Sequence, residues 1–433
     1  MLICISDLHF VDETAGKHNA SFRALEGVFE DIKRYGGQPQ EMRIVFLGDI
    51  FDINRSTYWL NVDESERPWG DMENKKVLIE AHANKIMDQI IEENKEIFNT
   101  LKGSLKEKFG FAVEPERFYV PGNHDRLCNV FDSLRIKVRN NLGIPGGAEP
   151  FSHVYDDMVF GNKYGVFARH GHEYDVWNYE GTDHFSDSDY AQIPIGDLIT
   201  TEIAARLPYT ILRHVGDSIP PEEKESLKRN LEEIENVRPY SAIFNWLFYQ
   251  VNKSPHLKKE IEEALKDIIK NFNDLLYLKR WYKRHDKWNL FTSDEADKLQ
   301  TALRMFKFLN IESAEGLMKI YSKIFGSPAD MPLDNSDNAL IEKVKEFLGH
   351  TSDYRYYVAG HTHAPIQVPI RITSQGLEQL YLNTGTWRSR YVQGLSGGFI
   401  SWKNITYTIF YSREESENQS YETWTGTLKE VYS

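Results

Sequence analysis

Five short apolar runs punctuate this chain, and each ends abruptly in polar residues. Residues 2–5 (LICI) predict a buried strand that stops at Ser6-Asp7, and 43–47 (RIVFL) predict a second that stops at Gly48-Asp49. Residues 117–120 (RFYV) stop at Pro121-Gly122, 164–168 (YGVFA) at Arg169-His170, and 355–359 (RYYVA) at Gly360-His361. Phe22, Leu25, Val28, Phe29 and Ile32 recur at helical spacing, so 19–35 predicts an amphipathic helix closed by Gly36-Gly37. A long charged helix is predicted over about 73–102.

From about 176 to 350 helical periodicity takes over. Ser254-Pro255 reads as N-cap and first helical residue of a helix whose face carries Leu257, Ile261, Leu265, Ile268 and Phe272. Thr292 and Glu295 have capping-box spacing before another helix. After 366 the chain alternates again, in LEQLYLNTGTW, GGFISW and ITYTIFY, and predicts strands. The expected organisation is one α/β core in two parts, 1–175 and 351–433, with 176–350 as a helical insertion. Its two ends leave and rejoin the core beside His170 and His361, so the insertion is expected to act as a lid that sets substrate choice and leaves metal binding alone.

Composition narrows the function classes. At 433 residues, 41% apolar and 13% aromatic, the chain can bury a large core. A formal charge of −14 argues against broad nucleic-acid binding, which a basic surface usually drives, although local basic patches stay open. Two cysteines, Cys4 and Cys128, exclude a disulfide framework and a thiolate zinc cluster. Cys4 reads as a small buried apolar residue. The opening MLICISDLHF is strand-like rather than a leader, and no apolar run reaches the ~20 residues of a membrane span. A cytoplasmic protein is the expectation; the oligomeric state stays open.

The strand ends carry the chemistry. They hold Asp7 and His9 in SDLHF, Asp49 in GDIFD, Asn123 in GNHD, His170 in RHGHEYD, and His361 with His363 in GHTH. Ligands of α/β sheets bind at the carboxyl ends of strands, so one edge can gather all seven side chains. Residues two apart in an extended segment point the same way, which predicts that Asp7 pairs with His9 and that His361 and His363 lie side by side, one on each of two neighbouring ions. Asp49 can bridge the ions, and Asn123 can ligate only through its carbonyl oxygen. This oxygen–nitrogen donor set suits two divalent metal ions such as Mn²⁺, with Fe, Zn²⁺ or Co²⁺ as alternatives. Two ions about 3.5–4 Å apart clamp a phosphoryl group and acidify water, so no protein nucleophile is needed.

In this order, D-x-H, G-D-x-x-D, G-N-H-D, H-G-H and G-H-x-H resemble the calcineurin-like metallophosphoesterase family. The resemblance implies an α+β fold, a four-layer αββα sandwich of two mixed β-sheets. It implies one ion on Asp7, His9, Asp49 and His363 and another on Asp49, Asn123, His170 and His361. His124 would lie over the scissile phosphate, oriented by Asp52. Ile53 and Asp125 stand where the protein serine/threonine phosphatase branch has Arg and Glu, which argues against that branch. LNTGTW followed by Arg388 is similar to the bacterial phosphoesterase branch.

The expected activity is hydrolysis of a phosphodiester, pyrophosphate or phosphomonoester, with a phosphorylated small molecule or nucleotide-type compound as substrate. The alternatives are a nuclease of the same fold and a non-catalytic scaffold that binds partners through the insertion. Arg126, His172 and Arg388 are candidate substrate contacts; Arg126 and Arg388 read equally as ion pairs. The basic-aromatic stretch 278–288 (LKRWYKRHDKW) offers Lys279, Arg280, Lys283 and Arg284 to a phosphate or nucleic acid, with Trp281 stacking. Packing of its aromatics inside the insertion is the stronger reading.

Overall fold

The computed structural model describes residues 1–238, 242, 246–247, 249–250, 253–285, 335–394, 398–416 and 419–427. The strands are β1 (Leu2–Ile5), β2 (Arg43–Leu47), β3 (Glu116–Val120), β4 (Tyr155–Asp156), β5 (Val166–Ala168), β6 (Val237–Arg238), β7 (Tyr356–Ala359), β8 (Ile366–Ile372), β9 (Glu378–Asn383), β10 (Ser389–Gln393), β11 (Phe399–Phe410) and β12 (Tyr421–Thr427). Seven of them form a sheet ordered β3-β2-β1-β11-β10-β6, with β12 also paired to β11. The other five form a sheet ordered β4-β5-β7-β9-β8. Both sheets are mixed: β1, β2 and β3 run parallel while β11 is antiparallel to β1, and β5, β7 and β9 run parallel between antiparallel edges.

Side-chain alternation makes the layers. In β1, Leu2 and Cys4 face the second sheet and pack with Val166, Ala168, Tyr356 and Val358, while Ile3 and Ile5 face the outer helices. In β2, Val45 and Leu47 take the first side and Ile44 and Phe46 the second. Burial on both faces is why these strands read as unbroken apolar runs. The helices Phe22–Tyr35, Lys76–Glu93, Lys95–Leu101 and Asp132–Leu142 cover the first sheet. The helix Asn335–Gly349 covers the second, through Leu340, Ile341, Val344 and Leu348 on Phe167, Tyr357 and Tyr381. The result is the expected α+β sandwich of two mixed sheets.

Some elements differ from expectation. The helix predicted over 73–102 breaks at Asn94, whose side chain donates to Ile90 O at 2.9 Å and to Val11 O at 3.4 Å and turns the backbone aside. Ser254 makes no capping bond; its hydroxyl donates to Glu223 instead, and Pro255 opens a 3₁₀ turn ahead of the α-helix Lys258–Asp274. GGFISW and ITYTIFY join into the single strand β11. Thr292 and Glu295 lie outside the described residues.

Within 176–350, Leu257, Ile261 and Ile268 share a core with Leu207, Ile211 and Leu231, whereas Phe272 joins a second cluster with Trp69, Leu198 and Trp281. Two parts of this stretch belong structurally to the sandwich. Helix Asn335–Gly349 is its fourth layer, and β6 pairs in parallel with β10. Among the described residues no helix is long and apolar enough to cross a membrane.

If Asn335–Gly349 is a core layer, Leu340→Ala should lower unfolding free energy by about 2–5 kcal/mol. Lys343→Ala, on the exposed side of the same helix, should change it by no more than about 0.5 kcal/mol. Urea unfolding monitored by circular dichroism measures both; equal effects would mean that the helix is peripheral.

Candidate metal centre

The parallel strands of both sheets deliver their carboxyl ends to one edge, and there the backbone turns sharply. Asp7 (φ 52°), His9 (φ 47°), Asp49 (φ 51°), His361 (φ 69°) and His363 (φ 60°) are all left-handed. The extended D-x-H and H-x-H segments expected from spacing are therefore absent: tight turns, not strand alternation, aim these side chains. Each such turn costs a non-glycine residue roughly 1–2 kcal/mol, and strain of this kind concentrates at functional sites. Two motif glycines make room. A Cβ on Gly48, itself at φ 80°, would strike the His170 ring, and one on Gly360 would strike the Asp7 carboxylate.

Asp7, His9, Asp49 and His363 form one cluster of potential ligand atoms, and Asp49, His170 and His361 form another, each set within 4.8 Å. His9 Nε2 lies 3.0 Å from His363 Nε2 and 3.7 Å from both Asp7 Oδ1 and Asp49 Oδ2, and His363 Nε2 lies 3.2 Å from Asp7 Oδ1. In the second cluster His170 Nε2 is 3.1 Å from Asp49 Oδ2 without an aligned hydrogen bond. Donors about 2.1 Å from a common ion and 90–120° apart stand about 3.0–3.6 Å from each other, close to the 3.0–3.7 Å found in the first cluster, and the second has its donors within 4.8 Å, so each could hold a cation. Asp49 Oδ2 serves both, while Oδ1 accepts the His124 backbone N–H at 2.9 Å.

The ring orientations suit ligation. His170 Nδ1 donates to Leu47 O at 3.0 Å, His361 Nε2 to Asp175 Oδ2 at 3.0 Å and His9 Nδ1 to Asp52 Oδ2 at 3.3 Å, which leaves the other nitrogen of each ring for an ion. Asn123 is not hydrogen-bonded through its buried Oδ1; its Nδ2 donates to Asn178 Oδ1 at 3.2 Å, and Asn178 in turn donates to Asp175 at 2.8 Å. This relay aims the carbonyl oxygen of Asn123. At His363, Arg238 Nη2 lies 2.8 Å from Nδ1, and Nε2 faces Asp7 and His9.

Protons hold the carboxylates together. Burial opposes a charged His9, but Asp52, Asp7 and Asp49 outweigh it and lift its pKa to about 9; burial is likewise outweighed at His170, mainly by Asp49, which lifts it to about 10. Asp7 and Asp52 are held below the usual carboxylate range despite burial, the first by His363 and His9, the second by His124 and His9. Burial and Arg238 push His363 well down, so it is neutral. Divalent cations here would displace protons.

His124 stands beside both clusters. Its Nδ1 donates to Asp52 Oδ1 at 2.8 Å, and Asp52 with the Asp49 charge raises it well above an ordinary imidazole although burial works the other way. Asp52 thus spans His9 and His124. Arg388 is buried behind it, 3.8 Å from Asp52 and 3.7 Å from Glu235. Arg126 is also buried: Nε donates to Asp197 at 2.8 Å and Nη2 to Pro68 O at 2.7 Å. His172 is buried against Tyr179 and Tyr190 and belongs to neither cluster. Trp281 is buried against Trp177 and donates to Glu180, so it offers no open face for a base; residues 286–288 lie outside the described residues.

Several residues of the site were not among the candidates. Asp125 accepts from the backbone N–H groups of Ile50 (3.2 Å), Phe51 (2.8 Å) and Gly122 (3.0 Å), tying the G-D-I-F-D turn to the G-N-H-D turn. Burial and Asp49 raise its pKa to about 6. Asp175 and Asn178 follow H-G-H closely, a spacing that could have flagged them. Glu235 and Arg238 arrive from within the insertion.

His153, close to the site, supplies a pH test. Burial and then Arg169 push it down to about 3, against about 6.5 when unfolded. Below pH 6.5 the unfolded chain takes up a proton that the folded chain refuses, so folding stability should fall as pH drops, by up to ~1.4 kcal/mol per unit. His153→Phe should flatten the slope of unfolding free energy between pH 6.5 and 5; an unchanged slope would refute the assignment. No family model matches this chain, and no curated protein matches it.

Proposed function

We propose that the protein is a metal-dependent phosphoesterase of the calcineurin-like type, hydrolysing a phosphodiester, pyrophosphate or phosphomonoester at a dinuclear centre. The observation that carries the reading is the pair of donor clusters joined through Asp49, with His124 and Asp52 set beside them. Asp7, His9, Asp49 and His363 would hold one ion, and Asp49, Asn123, His170 and His361 the other. The donors are oxygen and nitrogen, which suits Mn²⁺, Fe, Zn²⁺ or Co²⁺.

When bound, such ions polarise a phosphoryl group and make water nucleophilic near neutral pH. The chain supplies the rest. Asp52 keeps His124 protonated with Nε2–H free, since Nδ1 is engaged. As water adds to phosphorus and the bond to the leaving oxygen breaks, His124 gives its proton to that oxygen and the water proton passes to solvent. Cys4 and Cys128 are buried, and no group here needs to act as a covalent nucleophile.

Mn²⁺-loaded protein should hydrolyse 4-nitrophenyl phosphate or its bis ester, and chelation should abolish turnover. Asp49→Ala should lose turnover together with metal, measured by elemental analysis. His124→Gln should keep its metal while kcat falls about 10²–10⁴-fold. A wild-type protein that binds metal yet turns over neither ester would leave the scaffold reading in its place.

A further inference from the structure

Beside the second donor cluster lies a cavity of about 290 Å³, whose lining includes Asn123, Arg126, His153, His172, Tyr190 and Gln192. One wall comes from the core and the other from the segment that opens the insertion. Three of its polar side chains are unfinished. Arg126 uses Nε and Nη2 on Asp197 and Pro68 but leaves Nη1 without a hydrogen bond, and the residue is 5% exposed. His172, 4% exposed, has no hydrogen bond at Nδ1; Glu173 is 3.7 Å away.

His153 can be assigned atom by atom. Asn129 Oδ1 accepts the Phe151 N–H at 2.8 Å, so its Nδ2 is the donor, 3.0 Å from His153 Nε2. A neutral His153 therefore carries its proton on Nδ1, which has no partner. Its ring stacks flat on Tyr190, with centroids 3.5 Å apart, and Tyr190 is anchored by donating to Glu173 at 2.8 Å. The cavity thus offers a rigid aromatic wall and buried donors whose desolvation is uncompensated until a ligand or water supplies acceptors.

We infer that this cavity receives the non-phosphate part of the substrate, and that this part is one compact ring unit bearing hydrogen-bond acceptors, a nucleoside or a monosaccharide, rather than a nucleic-acid strand. This rests on the phosphoesterase reading for the phosphate itself. The volume lies at the lower end of the ~300–1,000 Å³ usual for small-molecule sites, enough for one such unit and too little for successive nucleotides. Asn123 lines the cavity and leaves its Oδ1 without a hydrogen bond, and the phosphoesterase reading puts that oxygen on the second ion, so a phosphate held there would carry its substituent into the cavity.

Calorimetry on the Mn²⁺-loaded full chain tests this, with inorganic phosphate, uridine 5′-monophosphate, adenosine 5′-monophosphate, glucose 1-phosphate and an oligothymidylate as probes. Nucleotides or the sugar phosphate should bind more tightly than inorganic phosphate, and which of them does so identifies the source. Ala191→Trp, which fills the cavity from its rim, and His153→Phe, which keeps the stack and removes the donor, should each shrink that advantage about tenfold, the equivalent of one buried hydrogen bond. No advantage over phosphate in the wild type, an advantage that survives both substitutions, or tighter binding of the oligothymidylate would overturn the inference. Turnover is a separate readout: absent ester hydrolysis with the binding pattern intact removes the phosphoesterase reading and leaves the cavity assignment standing.

Discussion

Three carboxylates, Asp7, Asp49 and Asp52, lie at 0–1% exposure where the edges of two apolar sheets meet. An ionised carboxylate in such surroundings is costly by several kcal/mol unless hydrogen bonds and opposite charge compensate it. Much of the local architecture answers that demand. His361 N donates to Asp7, His124 N to Asp49, and the side chains of His9 and His124 to Asp52. The left-handed turns at Asp7, Asp49 and His361 bring these groups into line, and the surrounding sandwich holds turns that would relax in isolation. The same carboxylates favour the charged forms of His9 and His170, so positive charge is drawn to the points where these side chains converge.

The second sheet matters as much as the first. Asp7 and Asp49 end strands of one sheet, while His170 and His361 end strands of the other. Neither sheet alone has a complete donor set. The shared core of Leu2, Cys4, Val45, Val166 and Val358 sets the distance between the two edges, so packing inside the sandwich determines the spacing of these side chains. The stretch after 175 is also tied to this edge. Asn178 orients Asn123, Asp197 pairs with Arg126, and Glu235 and Arg238 reach Arg388 and His363. The insertion thus contacts residues of the donor clusters and also lines the cavity.

Local pattern was enough for β1, β2, β3 and β7, because strands buried on both faces must be apolar throughout, and the polar residues after them marked the candidate metal-binding side chains. Asp7, His9, Asp49, His170, His361 and His363, which the structure brings into two clusters, could be picked out because polar side chains that leave a sheet edge together stand apart from core positions. What the chain could not reveal by itself was geometry set by distant partners. His9 and His363 stand 3.0 Å apart although 354 positions separate them. Left-handed turns stand at Asp7, His9, His361 and His363 where spacing suggested extended segments, and residue spacing carries no trace of them. Helix Asn335–Gly349 and β6 sit inside a stretch that reads as uniformly helical, and only contact with Phe167, Tyr357 and Tyr391 makes them parts of the sandwich. Periodicity reports which face of an element is apolar; tertiary structure alone decides what that face, or a buried arginine such as Arg126 or Arg238, finally meets.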